Sequence, residues 1–149
     1  MKKNFLILIL LAVAAAVLIL AVWFGVLNKK AITKVCLDKS CYQVELALTP
    51  QDQALGLMFR KSLDKDKGMF FKFPQDGVYP FWMKNTLIPL DIIWIGSDKK
   101  IVFISRDTAS CASDPCPLTD PGIPASYVLE INAGEIARIG AKIGDEVSF

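Results

Sequence analysis

The chain has 149 residues, of which 53% are hydrophobic, and a formal net charge of +2 at pH 7; that length predicts a single domain. All 15 acidic residues and 15 of the 17 basic residues follow Asn28, so the segment from Lys29 onward is formally neutral, and no DNA or RNA partner is expected. Histidine is absent, which excludes nucleophiles relayed through an imidazole and metalloprotease helices with paired histidines.

Residues 1–28 are predicted to form a membrane anchor. From Phe5 to Leu27, 23 successive residues include no charge, amide or proline. A helix of this length measures about 34 Å, enough to cross a hydrocarbon core of about 30 Å. The alternative is a cleaved secretory signal, which the basic start fits, but the small residues Ala14–Ala16 lie in mid-stretch and not at a cleavage position. We therefore expect an uncleaved, single-pass signal anchor.

The four cysteines form two local pairs with identical spacing, Cys36 with Cys41 and Cys111 with Cys116. Each pair encloses a polar turn, which favours two disulfides as local staples. A zinc site with four thiolates and free or redox-active thiols are the alternatives. Lysines flank the hydrophobic segment on both sides, so the cysteines decide its orientation. Disulfides place the domain on the extracytoplasmic side of the cell membrane.

The remaining elements follow from hydrophobic periodicity. Alternation from Lys34 to Leu48 predicts a hairpin, and Thr49 before Pro50 predicts a helix start, with the helix ending near Phe59. Further strands are predicted at 69–73, 90–95, 101–105, 127–131 and 147–149, with an extended aromatic stretch at 78–83 and a short helix at 135–139 that stops at Gly140. Residues 106–126 read as a long loop stapled by a cysteine pair.

Several short strands with one or two short helices predict a mostly β fold, borderline α+β, as a small sandwich or open barrel behind one transmembrane helix. The predicted organisation is an anchor at 1–28, a juxtamembrane linker at 29–34 and a globular domain at 35–149. No cofactor is indicated by any motif in the sequence.

The segment Pro80–Asp91 concentrates aromatic, cationic, amide, hydroxyl and carboxylate side chains around one bend. Such a mixture suits a small-molecule, glycan or peptide site. The candidate ligand-binding residues are Arg60, Trp82, Lys84, Asn85, Thr86 and Asp91. The structural alternative is that Asn85 and Thr86 form a turn, that Trp82 and Trp94 belong to the core, and that Asp91 accepts backbone N–H groups. If Asp91 is buried it needs a partner, for which Lys84 or Arg60 is available.

Several motifs together resemble the domain of unknown function 192 family. They are GLMFR at 56–60, GMFF at 68–71, FWMKNT at 81–86, IPLDII at 88–93, YVLE at 127–130 and NAG at 132–134. The resemblance covers nearly the whole soluble domain, and the cysteine-rich loop before Tyr127 is also similar to many members. It implies a compact domain of bacteria and archaea, often exported or anchored, with no settled biochemical activity.

These observations favour a membrane-anchored extracytoplasmic module that binds a ligand or serves an accessory role. The alternative is a hydrolase or carbohydrate-active enzyme in which Asp91, with Glu45 or Glu130, supplies general acid and base. A third hypothesis is a soft-metal site built from Met58, Met69 and Met83, although methionine at apolar positions is more often core.

Overall fold

The computed structural model describes residues 32–149, so the anchor predicted at 1–28 lies outside the described residues. Within 32–149, no helix is long and apolar enough to cross a bilayer. The first strand begins at Ile32, inside the segment predicted as a linker.

The elements in chain order are β1 Ile32–Leu37, β2 Ser40–Ala47, α1 Pro50–Leu55, β3 Lys67–Gly77, β4 Phe81–Trp82, β5 Leu90–Ile95, β6 Ile101–Thr108, β7 Leu118–Thr119, β8 Ala125–Asn132, α2 Glu135–Ile139 and β9 Val147–Ser148. Seven strands form one curled half-barrel sheet in the order β6-β5-β8-β3-β2-β1-β9, and β4 pairs with β7 in a small second sheet. The mostly β prediction is confirmed.

Hydrophobic alternation places the two predicted hairpins correctly. β1 pairs with β2 so that Cys36 lies opposite Cys41, and β5 pairs with β6. β2 and β3 are parallel, and the crossover between them carries α1. This crossover brings the loop after α1 over one face of the sheet, next to β4.

Several predicted boundaries are wrong. β3 extends from Lys67 to Gly77, beyond the strand predicted at 69–73. The first helix ends at Leu55 and not near Phe59, because Gly56, with φ 49° and ψ −135°, takes the chain out of the helix. The segment 106–126 is not wholly a loop, because β6 reaches Thr108 and β7 pairs with the aromatic strand β4. Only Phe81–Trp82 of the stretch 78–83 is a strand.

The disulfide prediction is confirmed. Cys36 is bonded to Cys41, and Cys111 to Cys116. All four sulfurs are therefore used, which removes the predicted alternatives of a zinc site and of free thiols. The second disulfide lies beside the pocket described below, since the backbone of Cys111 forms isolated β-bridges with Lys84 and Thr86.

The sheet buries a hydrophobic cluster on each face. One cluster includes Phe70, Ile93, Leu129 and Ile131 and is closed by Ile136 of α2. The other cluster consists of side chains of opposite parity on the same strands, including Phe71, Ile92, Trp94 and Val128, and is closed by Leu57 and Met83. Since side chains alternate along a strand, neighbouring residues of one strand belong to different clusters.

Candidate functional site

A pocket of about 160 Å³ opens at the second cluster, between the C-terminal end of α1, β3 and β4. Aromatic side chains provide much of its wall: Phe71, Phe73, Tyr79, Phe81 and Trp82. Polar groups at the pocket come from Gln53, Thr86 and Glu130. A mostly apolar concavity with a few polar groups is the usual composition of a small-molecule site.

Glu130 is the unusual member of this pocket. It lies in the central strand β8, paired with Met69 of β3 and Ile92 of β5, and is only 5% exposed. Its Oε2 atom is buried and, within residues 32–149, has no hydrogen-bond partner. Burying a carboxyl oxygen without a hydrogen bond destabilises the folded state, and for this reason such atoms are rare in protein cores.

Gly56 keeps space open beside this carboxyl group. A Cβ atom at residue 56 would lie 3.8 Å from Glu130 Oε2 and 3.6 Å from the ring of Phe71. The positive φ that ends α1 therefore also leaves the wall next to Glu130 without a side chain.

Burial dominates the electrostatics of Glu130. It raises the pKa of the carboxyl group to about 8, and the positive charge of Arg60 opposes this increase in part. At neutral pH this shift favours the neutral acid of Glu130 over the carboxylate. Arg60 itself is held by Glu45, to which its two terminal nitrogens donate at 2.5 and 2.8 Å.

The structure brings four of the six predicted ligand residues to the pocket or its surroundings. Trp82 and Thr86 line it. Lys84 lies next to Trp82, with Nζ 5.4 Å from the centre of the indole ring, and donates to Asp114 at 2.6 Å. Asn85 shapes the turn, because it has φ 55° and its carbonyl oxygen accepts from the N–H of Phe59. Arg60, the fifth, acts on Glu130 through its charge.

Asp91, the sixth, lies elsewhere. Its side chain has the parity of Ile93, points to the first cluster, and accepts from the N–H groups of Asp107 and Ile136, both at 2.8 Å. The predicted partner, Lys84 or Arg60, is wrong, whereas the structural alternative of backbone N–H donors describes what is found. Asp91 therefore links β5 to the end of β6 and to the start of α2.

This placement bears on the enzyme alternative. Asp91 is opposite Ile131, whereas Glu130 is opposite Ile92, so the two carboxyl groups lie on different faces of the sheet. Glu45 is in register with Met69, which pairs with Glu130, so it lies on the face of Glu130. Asp91 therefore forms no acid–base pair with either glutamate.

Two of the three methionines of the soft-metal hypothesis fit the core alternative. Met69 and Met83 are buried in the second cluster. Met58 lines the pocket, with its sulfur 4.0 Å from Nδ2 of Asn85.

Sequence reasoning missed Glu130 as a pocket residue and considered it only as a partner for Asp91. The signal was present, because Glu130 stands between Leu129 and Ile131 in an apolar strand, as Asp91 stands between Leu90 and Ile92. A carboxyl group in such a strand needs a partner, whichever face it occupies. The aromatic wall residues of β3 gave no signal beyond that of ordinary core.

The profile of the domain of unknown function 192 family, described as an uncharacterised conserved family, matches residues 33–149. The chain belongs to this family. The resemblance inferred from the sequence motifs is thus confirmed.

Two solved structures share the fold of this family member. One, a protein of unknown function from Novosphingobium aromaticivorans, has 38% identity, a TM-score of 0.73, and coverage of 79% of this chain and 85% of its own. The other, from Sinorhizobium meliloti, is described provisionally as a transcription regulator, with 34% identity, a TM-score of 0.72, and coverage of 80% and 94%. No curated protein matches the chain.

Replacing Asp91 is expected to destabilise the domain. Asp91→Ala leaves the buried N–H of Ile136 and the part-buried N–H of Asp107 without this acceptor. The first loss costs about 1–3 kcal/mol, and the second costs less because water can reach the N–H of Asp107. Asp120→Ala is the matched control, because that exposed carboxylate accepts from a single N–H, that of Gly122. Urea denaturation should show a loss of about 1–4 kcal/mol in the free energy of unfolding for Asp91→Ala and of less than about 1 kcal/mol for the control. Equal losses would contradict the assigned role.

Glu130 should make the stability of the domain depend on pH. Its pKa is about 8 in the folded state and near the ordinary value of 4.5 when unfolded, so between these values the folded state binds the additional proton. The free energy of unfolding should therefore fall as pH rises from about 4.5 to about 8, by a few kcal/mol in total.

Glu130→Gln carries an amide that does not titrate and so lacks this pH-dependent loss. The free energy of unfolding of the variant minus that of the natural chain should therefore increase as pH rises from about 4.5 to about 8. Denaturation at half-unit steps from pH 5 to pH 8.5 measures the difference. Asp38→Asn, an acid-to-amide change in an exposed turn, is the control. If the difference in free energy of unfolding between Glu130→Gln and the natural chain stays constant with pH, folding does not change the pKa of Glu130.

Proposed function

We propose that this family member is a ligand-binding module that holds a small organic group in the pocket beside Glu130. The observation that carries the proposal is the buried, unpartnered oxygen of Glu130 at the wall of an aromatic pocket. A ligand that donates a hydrogen bond to this oxygen would offset the free-energy cost of burying it unpaired.

The surroundings of the pocket support the same conclusion. Trp82 is 46% exposed although it is the largest side chain of the wall, and Leu55, at the end of α1, is 47% exposed. Exposed apolar side chains beside a concavity are typical of a binding site. The pairing of β4 with β7 and the bridge between Cys111 and Cys116 hold this side of the pocket in place without occupying it.

The proposed ligand site differs from the one expected from the sequence. It keeps Trp82 and Thr86, adds Glu130 and the aromatic residues, and gives Arg60, Lys84 and Asn85 supporting positions. Arg60 and Lys84 each have a carboxylate partner already, in Glu45 and Asp114. Asp91 has no part in it.

We propose further that residues 1–28 anchor this module to the cell membrane, with the domain on the extracytoplasmic side. The uncharged segment from Phe5 to Leu27 supports the anchor. The two disulfides support the oxidising compartment, because such bridges are rare in cytosolic proteins.

A nucleic-acid function is not proposed, although the Sinorhizobium meliloti neighbour is described provisionally as a transcription regulator. Residues 32–149 include 13 basic and 15 acidic residues. A domain with a formal charge of −2 lacks the excess of Lys and Arg that binding to phosphates requires.

Ligand binding can be tested with a library of ring-sized fragments bearing amine, hydroxyl, carboxylate or no polar substituents, followed by amide chemical shifts of the folded domain. We expect binders to shift the signals of Gly56, Phe71 and Glu130. Trp82→Ala should weaken the binding of these fragments by about 5- to 30-fold, since an aromatic wall contributes on the order of 1–2 kcal/mol. Ile143→Ala is the control, because Ile143 is 62% exposed and does not line the pocket. If no fragment shifts the pocket signals, the proposal fails.

Membrane attachment can be tested by expressing the full chain in a bacterial host. The product should stay in the membrane fraction after alkaline extraction, should be digested by protease added to spheroplasts, and should resist thiol alkylation until it is reduced. A variant that begins at Ala31 should lose the attachment. A full chain that is freely soluble and alkylated without reduction would contradict both the anchor and the compartment.

A further inference from the structure

The charge inventory of the pocket indicates which chemical class it takes. Among the lining residues within the described range 32–149, Glu130 is the only acid, and no Lys or Arg is present. The nearest cations lie outside the lining and are already paired, Arg60 with Glu45 and Lys84 with Asp114. An anionic ligand would therefore meet aromatic walls and no counter-charge.

A cationic group is better matched to this environment. The faces of aromatic rings carry partial negative charge and attract ammonium groups within about 6 Å. The structure contains one such contact at the pocket already, between Lys84 and Trp82. As a carboxylate, Glu130 would add a full negative charge, and its unpaired oxygen would accept a hydrogen bond from the ammonium group.

We propose that the pocket binds an organic ammonium group, and that Glu130 receives it as a carboxylate after releasing its proton to solvent. This inference rests on the proposed function and deepens it by naming the ligand class. The terminal torsion of a glutamate is soft, so either carboxyl oxygen can turn toward the ligand. One proton leaves the protein for each ammonium group bound, and the charge of the site is then balanced.

The dimensions of the pocket define the group that enters. Its volume of about 160 Å³ is close to that of an engineered cavity, in another protein, that takes up benzene. A second groove of about 570 Å³, lined by Leu48, Pro50 and Pro74 among others, shares Gln53, Phe73 and Tyr79 with the pocket. The ligand is therefore a ring-sized amine, or a longer molecule whose ammonium end reaches Glu130 while its apolar body follows this groove.

The groups around Glu130 determine how binding depends on pH. From the loop after α1, Arg60 favours the carboxylate, and Glu45 of β2 is bonded to Arg60. On β3, Lys67 donates to Gln43, and on β5, Asp91 lies on the other face. Burial outweighs Arg60 and keeps the pKa of Glu130 near 8. The affinity for an ammonium ligand should rise about tenfold per pH unit from pH 6 and level off above about pH 8.

The experiment compares benzylamine, benzyl alcohol and benzoate, three ligands of similar size and different charge, by calorimetry of the folded protein at pH 6, 7 and 8. We expect benzylamine to bind at least about tenfold more tightly than benzyl alcohol at pH 8. At pH 6, titrations in two buffers of different ionisation enthalpy should report close to one proton released per ligand.

Glu130→Gln should remove the proton release and the pH dependence and should reduce the affinity for benzylamine at least about tenfold at pH 8. Because the amide is neutral and similar in shape, the variant should fold, which its urea transition verifies. Binding of benzyl alcohol should change little. Asp38→Asn should leave all three affinities unchanged.

The outcomes separate this inference from the proposed function. If benzyl alcohol binds as tightly as benzylamine, or if benzoate is preferred, the pocket binds ligands but Glu130 acts as a neutral hydrogen-bond donor, and the inference is overturned. It is also overturned if none of the three ligands binds while other fragments shift the pocket signals. If no fragment of any class shifts those signals, the proposed function itself fails.

Discussion

The register of the central strands decides the roles of the two buried carboxyl groups that lie in the sheet, those of Asp91 and Glu130. Asp91 and Glu130 occupy neighbouring strands and similar apolar sequences, but their pairing is offset by one residue, Asp91 with Ile131 and Ile92 with Glu130. Because side chains alternate along a strand, this offset sends one carboxyl group to each face. On one face Asp91 meets two N–H groups and is satisfied. On the other face Glu130 meets aromatic side chains and an open pocket.

The two faces thereby illustrate two uses of the same side-chain chemistry. Asp91 ties the start of α2 to the sheet, where the cluster closed by Ile136 forms a continuous core. Within residues 32–149, Glu130 Oε2 has no hydrogen-bond partner, and burial raises the pKa of this carboxyl group to about 8. Carboxyl groups with pKa values perturbed in this way are concentrated at functional sites.

The family profile spans residues 33–149, and two proteins with 34–38% identity share the fold over most of their length. Fold similarity alone does not carry a function, since sites vary on a common scaffold. The proposed function of this chain therefore depends on its own pocket and on the chemistry of Glu130, Trp82 and Arg60.

The sequence by itself determined the mostly β fold, the hairpins β1–β2 and β5–β6, the end of α2 at Gly140 and the disulfide pairs, because each depends on local alternation, turn residues or short spacing. It also pointed to Trp82 and Thr86. Only the tertiary structure decided that Asp91 is a structural cap and that Glu130 faces the pocket. Those outcomes depend on strand register, on the parallel crossover through α1 and on the backbone conformation of Gly56, which bring together residues more than 70 positions apart.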